Sequence, residues 1–490
     1  MNVQRSRWVA LVVLCAGMLM IVLDTTVVNV ALPSIQSDLG FTPAGLAWVV
    51  NAYLISFGGL LLLVGRLGDL IGRRRVFLAG LALFTGASLL CGLSTSEVML
   101  IAARFLQGVG GALTSAVILG MIVTLFPEPR MQAKAIGVYA FVASAGGAVG
   151  LLAGGLLTEA ISWHWIFFVN IPIGVVTGVL AKRLIPYQAG IGLRHGADVP
   201  GAVLITSALM LGVYTIVKPA AELGWTAPRT VVPAAVVVAL LTGFVVRQRK
   251  AANPLIPLRI FRSRNVTGAN IVQVLGAAGM FGTFFLGSLY LQKTLGYDPL
   301  RIGLAFLPVT VVMGTLSVRY TERLINSFGA RRTMVAGLAL MAVGLAAFTV
   351  APVGGSYPVH VLPVLVLLGT GAGLSFPALM AVSMSDVDTA DAGFASGLVN
   401  TTAQVGGAIG LAVLATLSAT RTGELGRAGH GTAEALTGGY HLAFGVAAAL
   451  VGAAIVVVLA ILPNDRRATP EPVETVEPAG CEEPAYAEAA

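Results

Sequence analysis

Long apolar runs alternate along this chain with short polar breaks that are mostly basic. A helix needs about 20 consecutive apolar residues to cross the hydrocarbon core of a bilayer. Runs of that kind fall near 8–31, 44–64, 76–95, 99–123, 134–157, 165–183, 199–218, 230–246, 266–290, 302–318, 333–351, 361–384, 393–418 and 440–462. They predict about fourteen transmembrane helices and an all-α integral membrane fold. The weakest pair lies within 199–246, interrupted by Lys218, Pro219 and Glu222. Kept as two helices, it gives an even total and puts both termini on one side. The first run follows Arg5 and Arg7, as a signal peptide would. It continues to about Ala31 without a clear cleavage site, and many similar runs follow, so it reads as a first helix. The stretch after Pro463, rich in Pro and Glu, reads as a solvated, disordered tail.

Charge then orients the helices. With the N-terminus inside, the inner loops hold 23 of the 30 Lys and Arg residues, the outer loops 6, and Arg104 lies within a helix. This is the positive-inside bias. Dropping one helix of the weak pair would invert every later loop and spoil it. The net charge of +8 therefore reads as loop anchoring, with no nucleic acid as a partner. Only 11% of residues are charged and 57% are hydrophobic, against about 25% charged in soluble proteins. Cys15 and Cys91 sit in apolar runs and Cys481 in the tail, so no disulfide framework is expected. His164, His195, His360, His430 and His441 show no metal-site spacing, and no metal site is expected. The Ala/Gly/Val-rich, Lys-poor usage suggests a bacterial source with GC-rich DNA; with the even helix count and the charge bias, the expectation is a bacterial inner-membrane protein with both termini cytoplasmic.

The chain also repeats itself. Ala135-x-Gly137 followed by Gly146-Gly147-Ala148-x-Gly150-Leu151 returns as Ala395-x-Gly397 and Gly406-Gly407-Ala408-x-Gly410-Leu411, at an offset of 260. GRLGDLIGRRR (Gly65 to Arg75) returns as ERLINSFGARR (Glu322 to Arg332), at an offset of 257. Gly108-x-Gly110 matches Gly369-x-Gly371 more loosely. Each pair lies eight helices apart, as two six-helix halves with two inserted helices would produce. The expected division is 1–190, an insert at 191–250, 251–463 and the tail at 464–490. Parallel repeats of this kind build transporters with a substrate site between the halves.

These residues resemble the major facilitator superfamily, and more narrowly its fourteen-helix drug:proton antiporter family. The likeness covers nearly the whole chain apart from the tail. LDTTVVNVALP (Leu23 to Pro33) is similar to the family's helix-one signature, and GRLGDLIGRRR to the superfamily's motif between helices two and three. Arg104-x-x-Gln107-Gly108-x-Gly110 resembles the helix-four motif, and WHWIFFVNIPIG (Trp163 to Gly174) the entry to helix six. PLIPLRIF and YLQKTLGYDP resemble segments flanking helix nine. There are departures. The family's helix-five motif carries Gly-Pro-x-x-Gly-Gly, but here Gly150 is followed by Leu151, Leu152, Ala153, Gly154 and Gly155. Asn326 stands in the second loop motif where Asp69 stands in the first, and Arg104 aligns with Leu365.

Candidate chemistry follows from charge in apolar surroundings. Asp24 and Arg104 both fall in the outer half of the membrane and are candidate neighbours. An ionised side chain there is costly unless it faces protein or water. Burial opposes ionisation of a carboxylate and a nearby guanidinium favours it. Moving Arg104 relative to Asp24 would then change how tightly the carboxylate holds a proton; the alternative is a static pair holding two helices together. The resemblance implies proton coupling at these two positions. It implies an inner latch at Arg66, Asp69, Gly72 and Arg73, where simple loop anchoring is the other reading. Gly146, Gly150, Gly154 and Gly155, with Gly406 and Gly410, offer faces for close helix packing, either sliding between the halves or static. Guessed cavity residues are Asn29, Asn51, Tyr53, Gln107, Asn270, Gln273, Tyr290, Asn400 and Gln404. With Asp24 the only clear mid-membrane carboxylate, a lipophilic neutral or monocationic substrate is expected. No nucleotide-binding P-loop is present. The energy source is therefore expected to be a proton gradient, without a cofactor. The leading function is proton-coupled export of drugs, antibiotics or natural products; the alternative is an uptake symporter or facilitator for a metabolite. No catalytic constellation supports an enzyme. The expected partners are membrane lipid, a small lipophilic substrate and protons, with the chain as a monomer.

Overall fold

The computed structural model describes residues 3–187, 189, 190, 192, 196–220, 224, 226–385 and 392–463. Arg194, His195, Glu222, Arg466, Arg467, Cys481 and the 464–490 tail fall outside them. Among the described residues the secondary structure is helical, with no strand. The first six crossings are α1 (Val3–Leu39), α2 (Ala47–Ile71), α3 (Arg73–Gly92), α4 (Glu97–Leu125), α5 (Pro129–Ala160) and the broken pair α6 (Trp165–Phe168) and α7 (Asn170–Leu184). Then come α8 (Val199–Thr215) and α9 (Pro228–Lys250). The chain continues through α10 (Arg264–Lys293), α11 (Pro299–Arg319), the short α12 (Thr321–Phe328) and α13 (Ala330–Phe348). It ends with α14 (Leu362–Met384), α15 (Ala392–Arg427) and α16 (Thr432–Ile461). Among the described residues, thirteen spans are long and apolar enough to cross a membrane, and α5 contributes the shorter apolar stretch Ala145–Ala160.

Several helices outrun their hydropathy. α1 continues past Pro33 to Leu39, because Ser34, Gln36 and Asp38 keep helical backbone beyond the apolar run, and Gly40 (φ 76°) ends it. The weak run near 199–218 ends in a π-helical turn, Ile216–Ala220. Pro219 sits in that turn and brings no N–H to an α-helical ladder.

The first six crossings pack α3 on α4, α1 on α5, α2 on α4, and α7 on α1 and α3. The last six pack α13 on α14, α10 on α15, α11 on α14, and α16 on α10 and α13. The two sets therefore share one packing scheme, eight crossings apart. Gly72 (φ 99°) and Gly329 (φ 91°) turn the chain at matching places, before α3 and before α13. Only glycine adopts that backbone freely.

The sets meet where α5 packs on α11 and α2 on α15, with α1 beside α10. One end of the bundle, the basic end, carries Arg66, Arg73, Arg74 and Arg75. α8 packs on α2 and touches α15, whereas α9 packs mainly on α8. A methyl on Gly58 would lie 2.7 Å from the Gln404 Cβ, while one on Gly59 would lie 2.5 Å from the Thr206 Oγ1 of α8. Adjacent glycines thus let α2 meet α15 and the inserted helix at one level.

Asp198 fastens the insert. Its Oδ1 accepts from Gly201 N (3.1 Å) and Arg247 Nε (2.8 Å), and its Oδ2 from Gln248 Nε2 (2.7 Å). Gln248 Oε1 in turn accepts from Ile256 N at 3.1 Å. Burial works to raise the Asp198 pKa, but the hydrogen bonds from Arg247, Gln248 and Gly201 outweigh it and hold the carboxyl below the usual range. Asp198→Ala removes a helix cap and strands Gln248, and is expected to cost about 2–4 kcal/mol. A depressed carboxylate stabilises fully above its unfolded value of about 4 and loses that contribution as pH falls through the folded value. Thermal midpoints of the purified protein should therefore separate wild type from the variant by a constant amount between about pH 5 and 8, and converge only in acid.

Candidate functional site

Within the first six crossings, α1, α2, α3, α4 and the broken pair α6 and α7 close around one carboxylate. Asp24 on α1 is 1% exposed and Arg104 on α4 is 1% exposed. Arg104 lies seven residues into α4, about 10 Å along its axis from the end away from the basic loops. Asp24 Oδ2 accepts from Arg104 Nη1 at 2.6 Å. Its Oδ1 accepts from Gln107 Nε2 (2.6 Å) and Asn170 Nδ2 (3.3 Å). Arg104 also donates from Nη1 to Gln107 Oε1 (2.6 Å) and from Nε to the Val49 carbonyl (2.9 Å) of α2. Gln107 Nε2 further donates to Ser88 Oγ at 2.8 Å, and Cys91 Sγ donates to Gln107 Oε1 at 3.5 Å. The Tyr53 and Phe167 rings cover the guanidinium, with Cζ 4.5 and 5.8 Å from their centroids. Cation–π contacts of this kind strengthen as water is excluded.

The spacing of α4 sets this geometry. Arg104 and Gln107 are three apart and share a face, and Gly108 lets α4 approach α2. A methyl on Gly108 would lie 2.5 Å from the Tyr53 carbonyl oxygen. The result is a charge pair with its hydrogen bonds largely satisfied, which is the condition for holding charges out of water. Chemically, the cluster couples a buried carboxylate to a guanidinium, so a change in their separation changes how tightly the carboxylate holds a proton.

The basic end is tied within the same half. Arg73 Nη2 pairs with Asp69 Oδ1 at 3.0 Å, and its Nη1 donates to the Gly120 carbonyl at 2.8 Å. Arg74 donates to the Lys182 carbonyl, and Arg75 lies 5.0 Å from the Tyr187 ring centroid. Arg66 is partly buried on α2.

The glycine faces divide unequally. Methyls on Gly146, Gly150 and Gly154 would strike Leu19, Thr26 and Val27 of α1, inside the same half. Those on Gly406 and Gly410 would strike Val274 and Ala278 of α10, again inside one half. Gly155 faces the other half, where a methyl would lie 2.7 Å from the Pro299 oxygen of α11. Contact between the halves along this stripe, whether sliding or static, therefore narrows to Gly155 and its partner Gly303, whose added methyl would meet the Leu151 carbonyl.

The remaining candidates scatter. Asn51 is fully buried with neither side-chain atom partnered, and the Tyr53 hydroxyl is also unpartnered. Asn51 lies seven residues before Gly58, so it shares the α2 face that meets α15. Across that seam, Thr401 Oγ1 and Gln404 Oε1 have no protein partner either. Each such buried group costs about 1–3 kcal/mol, so this seam has polar capacity to spare. Asn29 Nδ2 donates to the Thr25 carbonyl of its own helix at 2.9 Å. Asn270 Oδ1 accepts from Thr402 Oγ1 at 2.9 Å, Gln273 is buried beside it on α10, and Asn400 is exposed. Tyr290 donates to the Pro352 carbonyl at 3.3 Å and packs edge-on against Tyr440. Sequence reasoning missed Asn170, Ser88 and Cys91. Asn170, a lone amide inside the apolar stretch WIFFVNIPIG, was the available signal.

A separate cavity of about 440 Å³ opens at the end away from the basic loops. It lies between the end of α1 and helices α10, α15 and α16. None of the nine guessed cavity residues lines it.

The Major Facilitator Superfamily family model matches residues 14–411. The chain is 41% identical to the cephamycin export protein CmcT of Amycolatopsis lactamdurans, over 96% of this chain and 95% of that one. It is 40% identical to the puromycin resistance protein pur8 of Streptomyces alboniger, over 88% and 85%. Among solved structures, it superposes on a bacterial homologue of the human lysosomal transporter Spinster, in an inward-facing and unoccupied conformation. That match has a TM-score of 0.67 at 14% identity, covering 92% of this chain and 96% of that one.

Proposed function

The chain is a multi-pass membrane protein that belongs to the Major Facilitator Superfamily, and on that premise we propose that it exports lipophilic drugs, antibiotics or natural products in exchange for protons. The observation that carries this reading is the buried Asp24–Arg104–Gln107 cluster, set in a chain whose relatives are antibiotic exporters and resistance proteins. The basic end faces the cytoplasm of a bacterial cell membrane, as the positive-inside bias supports. Substrate enters between the halves, beside the unpartnered Asn51, Thr401 and Gln404. Asp24 takes a proton when Arg104 withdraws and releases it when the pair re-forms. The proton gradient thereby favours one orientation of the halves over the other.

The test is a susceptibility panel in an efflux-deficient bacterial host, with and without a protonophore. The chain should raise tolerance to a subset of the panel, and the protonophore should erase that protection. Protection that survives full collapse of the proton gradient would rule out antiport.

A further inference from the structure

The cavity at the end away from the basic loops has walls from both halves: Phe41 follows α1, Phe285 and Leu289 lie on α10, and Leu436 and Tyr440 on α16. At about 440 Å³ it falls within the range of small-molecule sites, roughly 300–1,000 Å³. Its lining is mainly apolar, with a few hydroxyls, the single amide of Gln36 and one charged residue, Lys293. The lining holds no carboxylate. Among the described residues no ion pair is formed by Lys293, and four acidic groups at this end have other partners. Asp298 pairs with Arg301, and Glu424 with Arg421. Glu434 lies 3.4 Å from His430, and Asp38 accepts from Trp163 Nε1 at 2.8 Å.

We propose that this cavity binds an amphipathic monoanion, with its apolar body between α1 and α10, α15 and α16 and its acidic group on Lys293. The buried Asp24 carboxylate is already paired with Arg104, whereas this second site carries a single positive charge and lies outside that cluster. Because α1 belongs to one half and the other walls to the second, a bound ligand prefers one arrangement of the halves. Two sources share this chemistry: an anionic lipid of the surrounding bilayer, and a lipophilic acid among the exported compounds.

The probe is dansylaminoundecanoate, with its primary amide as the neutral analogue. Binding is read by fluorescence on the full chain in phosphatidylcholine nanodiscs without any gradient, so it is independent of whether the chain exports. Lys293→Ala is expected to weaken the acid at least about tenfold and leave the amide unchanged, with Lys293→Arg restoring the acid. Leu289→Trp, which fills the cavity, should weaken both. Equal thermal midpoints show that the variants fold. Unchanged acid binding in Lys293→Ala, or unchanged binding of both probes in Leu289→Trp, would overturn the proposal. Displacement of the acid by phosphatidylglycerol in the disc supports the site with lipid as its occupant. Displacement only by soluble lipophilic acids supports it with cargo.

Discussion

Asp24→Asn should abolish proton-driven export while the protein still reaches the membrane. The substitution keeps the shape of the side chain and removes its charge. Both carboxylate oxygens are in use: Oδ2 takes the Arg104 guanidinium at 2.6 Å, and Oδ1 takes the Gln107 and Asn170 amides at 2.6 and 3.3 Å. An asparagine must present an NH₂ group to one of these donors. Arg104, 1% exposed, then keeps an uncompensated charge in the protein interior. Breaking one side of a buried pair costs about 3–5 kcal/mol, so a fall in thermal midpoint is expected as well. A pair that only held helices together would show that loss too. The double variant Asp24→Asn with Arg104→Gln separates the readings, because it removes the orphaned charge. Stability should recover in the double variant, and export should not. The measurement is respiration-driven drug uptake into everted membrane vesicles, alongside melting of the purified protein. If Asp24→Asn vesicles still concentrate drug when energised and lose it on adding a protonophore, Asp24 is not the coupling carboxylate.

How much of this was legible in the sequence depends on the range of the signal. Continuous apolar runs located the thirteen long spans and the shorter apolar stretch of α5, because the demand for about 20 apolar residues is local. Their ends were less legible: Ser34, Gln36 and Asp38 are polar yet helical, since a helix persists into the aqueous layer where hydropathy no longer reports it. Asp24 and Arg104 stood out because charge in an apolar run is expensive. The rest of their cluster did not, since Ser88 and Cys91 look like ordinary small residues until α3 and α4 are packed. Tyr53 is a polar aromatic by type, but its ring covers Arg104. That role exists only once α2 crosses α4. The glycine stripe showed that α5 packs closely, but the partner of each glycine depends on helix azimuth. Only coordinates separate Gly154, facing Val27 of its own half, from Gly155, facing Pro299 of the other. The Lys293 cavity left no sequence signal, because its apolar walls are drawn from segments hundreds of residues apart.

The contact at Gly155 carries the second large effect. There α5 and α11 cross glycine on glycine: a methyl on Gly155 would sit 2.7 Å from the Pro299 oxygen and 2.8 Å from the Leu300 Cα. Both obstacles are backbone, so no rotamer change on α11 can make room. Within a rigid core, overpacking of this kind costs about 1–3 kcal/mol. Here the two halves can part at this end instead, which relieves the clash. Gly155→Leu should therefore shift the equilibrium toward a state open away from the basic loops, by roughly 5–150-fold for that energy. Transport should fall because the return to the closed arrangement becomes unfavourable. Spin labels at Ile161→Cys and Val353→Cys, exposed at this end on opposite halves, report the separation. Cys15 and Cys91 are buried, so only Cys481 needs replacing, by serine. The label distance should lengthen in Gly155→Leu. It should stay as in wild type in Gly147→Leu, a change on the same helix where an added methyl meets nothing within 4 Å. Loss of transport with an unchanged label distance would mean that the α5–α11 crossing does not gate this end, and that Gly155 serves only local packing.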